Sequence, residues 1–204
     1  MEKKKINKTV IIAAAAAIAL IAAVAVILTI FLNAEKPVFG SAPTVIIETP
    51  EKIKADNHEK FVIDVSITSM GEALYPAASM SISFDPMYLE FLGIAEGNVA
   101  VLSDATGKKL PEWSVNVERS NAIGQINTMY LDLTDGKNAF SGSLLGEEKN
   151  VLLRLEFRLR GSASAGNIYE LTADDVCLAA SDSTQSLSSA QGTLGVVNGR
   201  IVVE

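Results

Sequence analysis

Residues 151–160 read VLLRLEFRLR, and this stretch decides the fold class more clearly than any other part of the chain. Five apolar side chains (Val151, Leu153, Leu155, Phe157 and Leu159) alternate with a set that is mostly charged (Leu152, Arg154, Glu156, Arg158 and Arg160). A period of two places one set on each face of an extended strand. One face is then buried and the other is wet, as in an antiparallel sheet.

The same alternation recurs through the chain. We predict strands at 61–68 and 79–84, at 113–118 with Trp113, Val115 and Val117 facing inward, and at 128–133 with Met129, Leu131 and Leu133 facing inward. Shorter strands are expected at 45–49, 89–94, 169–179 and 195–203, and long loops at 96–112, 134–149 and 181–192. About nine strands separated by turn residues predict an all-β fold. The architecture expected for residues 44–204 is a two-sheet antiparallel sandwich, or jelly roll.

One transmembrane helix is expected before the sandwich. Residues 1–8 carry four lysines and form a basic, cytoplasmic N-terminus, while 10–32 contain no charged residue in 23 positions. A signal-anchor helix over 9–32 is long enough to cross a hydrocarbon core of ~30 Å. Residues 33–43 form a linker. The alternative is a signal peptide cleaved after Ala34. Both interpretations place the C-terminal domain outside the cell, either held at the cell membrane or secreted.

Composition limits the partners of the exported domain. Of the 17 basic and 24 acidic residues, four and one respectively lie within the first 34 positions, which leaves 13 and 23 and a net charge of −10. Such an acidic domain is not expected to bind nucleic acid. Cys177, the single cysteine, cannot form an internal disulfide and is expected to be a small core residue.

Catalytic chemistry has little trace in the sequence. The single histidine, His58, lies in a polar segment and is expected in a solvated loop. No nucleophile-elbow, HExxH or phosphate-loop motif occurs. Adjacent acids at Asp174-Asp175 and Glu147-Glu148 lack the frame of a calcium-binding loop and are expected to be solvated surface. Asp132 and Asp135 are a candidate carboxylate pair, but their spacing in sequence does not establish the separation that glycoside hydrolysis requires. We therefore expect a binding protein that is not an enzyme and holds no metal or cofactor.

Four segments, taken in order, resemble the cohesins, sandwich modules that hold dockerin-bearing enzymes in cellulosomes and related surface assemblies. Residues 81–90, SISFDPMYLE, followed by Gly97, resemble the strand, aromatic-Asp-Pro turn and strand of the family. Residues 61–68 with Gly71 resemble the strand that precedes this segment in the family. Residues 151–160 with Gly161 and Gly166 resemble the long strand and its turn, and residues 197–203 resemble the final strand. The resemblance spans about residues 44–204.

The resemblance implies a dockerin-binding sheet face. Its predicted outward side chains are Ser79, Ser81, Ser83, Asn116, Thr128, Tyr130 and Asp132, together with Ala77, Ser114 and Glu118. Ala77 and Ser79 stand where studied cohesins carry Asn and Asp, so either a divergent dockerin is bound or none. Dockerins resemble paired EF-hands, so calcium would be carried by the partner. The alternatives are direct polysaccharide binding, which needs exposed aromatic side chains, and a structural or adhesive surface protein.

Overall fold

The computed structural model describes residues 42–103 and 107–204. The expected basic N-terminus, the transmembrane helix at 9–32 and linker residues 33–41 lie outside the described residues. Within those described, no helix is long and apolar enough to span a membrane.

The described residues form two packed sheets. The five-stranded sheet contains β1 (Thr44–Glu48), β2 (Phe61–Ile67), β4 (Leu89–Glu96), β9 (Asn150–Leu159) and β12 (Gly195–Val197), in the spatial order β12-β1-β2-β9-β4. The six-stranded sheet contains β3 (Ala77–Ser83), β7 (Ser114–Val115), β8 (Gln125–Leu131), β10 (Ile168–Ala179), β11 (Leu187–Ser188) and β13 (Gly199–Val202). Its order is β11-β10-β3-β8-β7, with β13 also paired to β10. The predicted two-sheet sandwich is confirmed.

Short strands make the count larger than nine. The described part of the chain has thirteen strands, including the hairpin of β5 (Val101–Ser103) and β6 (Gly107–Lys109). Strands of two or three residues are too short to show a period, so two predicted loops, 96–112 and 181–192, contain strands that the sequence does not signal.

Strand β9 lies between β2 and β4 in the interior of its sheet. The five side chains predicted to face inward are buried as expected. Leu152 is buried as well, because the register with β2 shifts between Val65 and Ser66 and leaves Leu152 without an opposite residue. Such a bulge redirects one side chain. Phe157 packs edge-on against Phe84, with 5.3 Å between ring centroids, which ties the two sheets together.

The strand predicted at 113–118 is wrong beyond Val115. Asn116 instead caps the N-terminus of a helix, α1 (Val117–Ile123), by accepting a hydrogen bond from the backbone of Arg119. Gly124 ends the helix in the left-handed conformation, with φ of 69°. An Asn at the cap and a Gly after the last turn are strong helix boundaries, and they outweigh a three-residue alternation.

The strand predicted at 195–203 is divided in two. β12 runs parallel to β1, whereas β13 pairs antiparallel with β10 in the other sheet. Asn198 lies at the crossing, where its side chain accepts a hydrogen bond from the backbone of Ala173. The β1–β12 pair is therefore an exception to the antiparallel sandwich that was predicted.

Candidate functional site

The outer face of the six-stranded sheet is built around the β3–β8 pair. Ser79 lies opposite Met129, Ser81 opposite Asn127, Ser83 opposite Gln125, and Ala77 opposite Leu131. On β3, the alternate residues Ala78, Met80 and Ile82 are buried in the core. The three serines therefore point away from the core, as predicted, with Ser79 exposed and the other two half-buried.

Strand β8 has the opposite orientation to the one predicted. Met129 and Leu131 are 48% and 51% exposed, whereas Thr128 and Tyr130 are 3% and 5% exposed. The two buried polar groups have partners: the Thr128 hydroxyl donates to the Ser114 carbonyl at 2.8 Å, and the Tyr130 hydroxyl donates to the Asn138 carbonyl. Since a hydrogen-bonded polar group can be buried at modest cost, satisfied partners allow the inversion. Thr128 and Tyr130 are thus not outward residues.

The sequence did contain a sign of this orientation. Gln125 and Asn127 share the parity of Met129 and Leu131, while Ile126 shares the parity of Thr128 and Tyr130. A strand that starts at residue 125, three residues earlier than predicted, therefore has polar residues on its outer side at one end. The outward Gln125, Asn127, Met129 and Leu131 are the residues of this face that the sequence analysis missed.

Asp132 organises the turn that follows β8. Its carboxylate accepts hydrogen bonds from the backbone and hydroxyl of Thr134 at 2.8 and 2.5 Å, and from the backbone of Asn138 at 3.2 Å. Burial opposes ionisation, but these hydrogen bonds outweigh it and hold the pKa of Asp132 below its ordinary value. The carboxylate is therefore engaged within its own turn. Leu133, predicted to be inward, is 85% exposed beside it.

Strand β7 and the start of α1 border the face on one side. The Ser114 hydroxyl donates to the Met129 carbonyl at 3.0 Å, and the Asn116 side-chain oxygen is occupied as the helix cap. Between this border and β3 is a shallow depression of about 460 Å³. Its walls include Ser79, Ser81, Asn116, Asn127 and Met129. Four of the seven predicted site residues, Ser79, Ser81, Asn116 and Thr128, thus lie at one depression.

Strand β10 borders the face on the other side. Asp175 lies opposite Ser81 and Cys177 opposite Ser79. Cys177 is half-buried on the outer side of β10, so the prediction of a core residue is wrong; Val176 and Leu178, which flank it, fill the core instead. Burial, with a smaller contribution from Asp175, raises the pKa of the Cys177 thiol. The thiol is therefore mostly protonated and unreactive at neutral pH.

The face divides into a polar half and an apolar half. In the polar half Ser81 donates to Asn127 at 3.0 Å, Asn127 contacts Gln125 at 3.4 Å, and Ser83 donates to Asp174. The Ser81 and Ser83 hydroxyls therefore already donate hydrogen bonds within the protein, which leaves less of their hydrogen-bonding capacity for a partner. The apolar half contains Ala77, Met129 and Leu131, which lie together through the register of β3 and β8.

The outer face of the five-stranded sheet has a different character. Lys149 pairs with Glu48 and Asp64, both at 2.7 Å, and Arg158 forms a two-pronged pair with Glu90 at 2.7 and 3.0 Å. The hydrogen bond from Arg158 lowers the pKa of Glu90. Charges on this face are thus largely compensated by one another. The six-stranded sheet instead presents an uncharged centre, which is typical of the central part of a protein interface.

The remaining candidates do not form a catalytic or metal centre among the described residues. His58 is exposed, as predicted, with Nδ1 at 3.2 Å from the Leu159 carbonyl oxygen. No group of three or more His, Cys, Asp or Glu side chains comes together in residues 42–103 and 107–204. Tyr75, Tyr130 and Tyr169 are buried, and Trp113 is half-buried with its indole N–H directed to the Leu152 carbonyl.

Comparison with solved structures identifies the fold as that of cohesin modules. The sixth cohesin of scaffoldin B from Acetivibrio cellulolyticus, solved with a Cel5 dockerin mutant, is 17% identical over 80% of this chain and 100% of that chain, with a TM-score of 0.57. The cohesin of a type I cohesin–dockerin complex from Clostridium thermocellum, OlpA with Doc918, is 16% identical over 80% of this chain and 99% of that chain, with a TM-score of 0.58. A non-cellulosomal cohesin from the archaeon Archaeoglobus fulgidus is 16% identical over 80% of this chain and 92% of that chain, with a TM-score of 0.53. The described domain has a cohesin-like fold.

No protein-family model matches the chain, and no curated protein matches it.

Proposed function

We propose that residues 44–204 form a non-catalytic cohesin-like module that binds a dockerin-bearing partner through the outer face of the six-stranded sheet. The observation that carries the proposal is the cohesin-like fold, since several of the similar structures were solved with dockerins. The open, uncharged centre of this sheet supports it further. The proposed partner is a polysaccharide-degrading enzyme, and calcium would reside in its dockerin.

The proposed contact residues differ from those predicted. Ser79, Ser81, Ser83 and Asn116 are kept, and Asn127, Met129 and Leu131 are added. Thr128 and Tyr130 are removed because they are buried, and Asp132 is engaged in its own turn. Ala77 lies opposite Leu131, so an apolar pair occupies a position where studied cohesins carry a polar residue. This difference supports a divergent dockerin as the partner.

We further propose that residues 9–32 anchor the module in the cell membrane with residues 44–204 outside the cell. The support is the 23-residue uncharged run after four lysines. Carbonate extraction of membranes tests it, because an integral anchor stays in the pellet. Mass spectrometry of the mature N-terminus tests cleavage after Ala34. A soluble protein that begins at Glu35 would contradict anchoring and make the module a secreted adaptor.

Direct polysaccharide binding is less well supported. Such sites stack sugar rings on exposed aromatic side chains, but Tyr75, Tyr130 and Tyr169 are turned into the core. Tyr88 stacks on Tyr169 with 4.8 Å between ring centroids. No particular observation favours a structural or adhesive role.

Capture of a partner tests the proposed function. The full chain, kept in mild detergent and attached through its C-terminus, is exposed to the secreted proteins of the source organism with calcium or with a chelator. We expect capture of a protein that carries a dockerin, only with calcium, and rebinding of that dockerin after recombinant expression. Retention on insoluble glycan without any dockerin partner would contradict the proposal.

A pair of serine variants tests the choice of face. Ser81→Trp places a bulky side chain beside the depression and should abolish capture. Ser164→Trp adds the same bulk at an exposed turn between β9 and β10 and should leave capture unchanged. Equal capture by both variants would show that the partner binds elsewhere.

A further inference from the structure

A second depression lies at one end of the five-stranded sheet, away from the proposed dockerin-binding face. Its volume is about 400 Å³. The start of β4 and the end of β9 meet there, because Glu90 lies opposite Arg158. The residues that line it are His58, Glu90, Arg158, Leu159, Arg160 and Gly161.

Two arginine side chains of this depression are held in place by bonds within the protein. Arg158 forms its two-pronged pair with Glu90 through Nε and Nη2, at 2.7 and 3.0 Å. The Nε of Arg160 donates to the Leu89 carbonyl at 3.3 Å, and its Nη1 lies 3.9 Å from the Glu90 carboxylate. Within the described part of the chain, Nη1 of Arg158 and Nη2 of Arg160 have no hydrogen-bond partner. Both guanidinium groups therefore keep N–H groups available at fixed positions.

His58 adds a third nitrogen to the same depression. Its Nδ1 lies 3.2 Å from the Leu159 carbonyl oxygen. Because a carbonyl oxygen can only accept, this contact places a proton on Nδ1 and leaves Nε2 as the outer ring nitrogen. No partner for Nε2 is found among residues 42–103 and 107–204. Since His58 is exposed, Nε2 can donate to an anion when the ring is protonated and accept from a hydroxyl when it is neutral.

The lining has an excess of positive charge in a chain that is otherwise acidic. Its two arginines share one carboxylate, Glu90, whereas the neighbouring Lys60 and Glu156 pair with each other at 2.6 Å. Glu59 is exposed next to His58 but does not line the depression. Outside its first 34 positions the chain has a net charge of −10. Because the acidic surroundings repel a long polyanion, a locally positive site fits a ligand with one anionic group.

We propose that this depression binds a small organic anion, a carboxylate or phosphate group carried on a molecule about the size of one sugar. The planar fork of an arginine matches the paired oxygens of either group. The volume lies within the range of small-molecule sites and exceeds what a single oxyanion fills. Side chains that are already fixed lose little freedom on binding. Recognition of the charge distinguishes this site from direct polysaccharide binding, which needs exposed aromatic side chains.

Binding is measured with the full chain, labelled with ¹⁵N at its 14 glycines and kept in a non-ionic detergent. Gly161 lines the depression, and Gly192, in an exposed loop elsewhere, is the matched control. The signal of Gly161 is assigned from its loss in Gly161→Ala. Galacturonate and glucose 6-phosphate are the two anions, and galactose and glucose are their neutral counterparts. We expect at least one anion to move the Gly161 signal with a Kd below about 10 mM at low salt, while Gly192 stays in place and the neutral sugars have no effect. The anion that binds more tightly identifies the preferred group.

Variants test the part that each charge plays. Arg160→Gln should weaken binding of the preferred anion at least about tenfold, whereas Arg200→Gln, at an exposed position of β13, should leave it unchanged. Glu90→Gln removes the competing negative charge and keeps an acceptor for Arg158, so binding should become tighter, by about threefold or more. Damage to the fold would not tighten binding, so this variant separates recognition from a structural effect.

Four results would overturn the proposal. Equal weakening by Arg160→Gln and Arg200→Gln would show a general effect of charge without a site. Inorganic phosphate that binds as tightly as glucose 6-phosphate would refute a sugar-sized ligand. Polygalacturonate that binds more tightly per carboxylate than galacturonate would indicate a polyanion as the ligand. Absence of any Gly161 shift with both anions at low salt would refute the site itself.

Discussion

The side-chain amide of Asn121 forms both hydrogen bonds that a neighbouring strand would form with the backbone of Phe91. The Asn121 oxygen accepts from the Phe91 N–H at 2.9 Å, and its nitrogen donates to the Phe91 carbonyl at 2.7 Å. Phe91 lies in β4, the edge strand of the five-stranded sheet, so helix α1 covers this edge through one residue. Unpaired edges recruit other strands, and covering them protects against aggregation.

Replacing Asn121 should expose that edge. We expect Asn121→Ala to lower the free energy of unfolding by about 1–3 kcal/mol, because two partly buried backbone groups lose their partners. Asn121→Asp keeps the acceptor for the Phe91 N–H, so its free energy of unfolding should lie between those of Asn121→Ala and the wild type. Chemical denaturation measures the stabilities, and light scattering after mild heating reports aggregation. Asn127→Ala, which removes an amide from the exposed sheet face, is the control, and an equal loss there would argue against the edge explanation.

Neighbouring substitutions on β8 test its orientation. Met129→Lys should change stability by no more than about 0.5 kcal/mol, since Met129 is half exposed and points away from the core. Thr128→Lys should cost more than about 3 kcal/mol, because it buries a charge without a partner. Thermal unfolding measures both. The opposite ranking would restore the orientation predicted from sequence, with Met129 inside.

Tyr130 should make stability depend on pH in the alkaline range. Burial, with a smaller contribution from Asp132, raises the pKa of Tyr130 to about 12, against an unfolded value of about 10. Because the folded pKa is higher, the stability contributed by the protonated phenol is present below about pH 10 and is lost as the pH rises through about 12. Tyr130→Phe removes this titration.

Urea denaturation between about pH 8 and 12 measures this effect. At pH 8 the Tyr130→Phe variant should be less stable by about 1 kcal/mol, the contribution of the hydrogen bond to Asn138, and the difference should diminish above about pH 10. Tyr75, whose pKa burial also raises, is common to both proteins and cancels. A difference independent of pH would contradict the assignment. Partner capture should be unaffected, since Tyr130 is not on the outer face.

Gly97 occupies a position where no side chain fits. A Cβ added there would lie 1.9 Å from the Val151 carbonyl oxygen and 2.7 Å from backbone atoms of Leu152. We expect Gly97→Ala to destabilise the fold by about 1–3 kcal/mol through displacement of β9. Gly161→Ala is the matched control, because nothing lies within 4 Å of its added Cβ. Thermal unfolding compares the two, and equal melting temperatures would show that β9 can move without cost.

The strongest sequence patterns predicted the fold because they are local and long. The ten-residue alternation of β9 and the seven residues of β2 each place a complete apolar row on one side, and both rows are buried apart from the half-buried Phe61. Strand β8 was harder, because apolar and polar residues occupy both of its sides. Which side of β8 is buried depends on which row of side chains the rest of the protein packs against. Trp113 is part of that packing, because its ring lies against Tyr130 with 6.3 Å between ring centroids.

The alternation of residues by itself determined the all-β class and the long strands. It also determined which side of β3 and which side of β9 face the core. It also contained the segments that resemble cohesins. Only the tertiary structure decided which side of β8 is buried, where the chain leaves β12 to cross to the other sheet, and that Asn116 begins a helix. The physical reason is that a period of two assigns the side chains of a strand to two faces but does not decide which face is buried in the core. That choice depends on hydrogen-bond partners distant in sequence, such as the Ser114 carbonyl for Thr128.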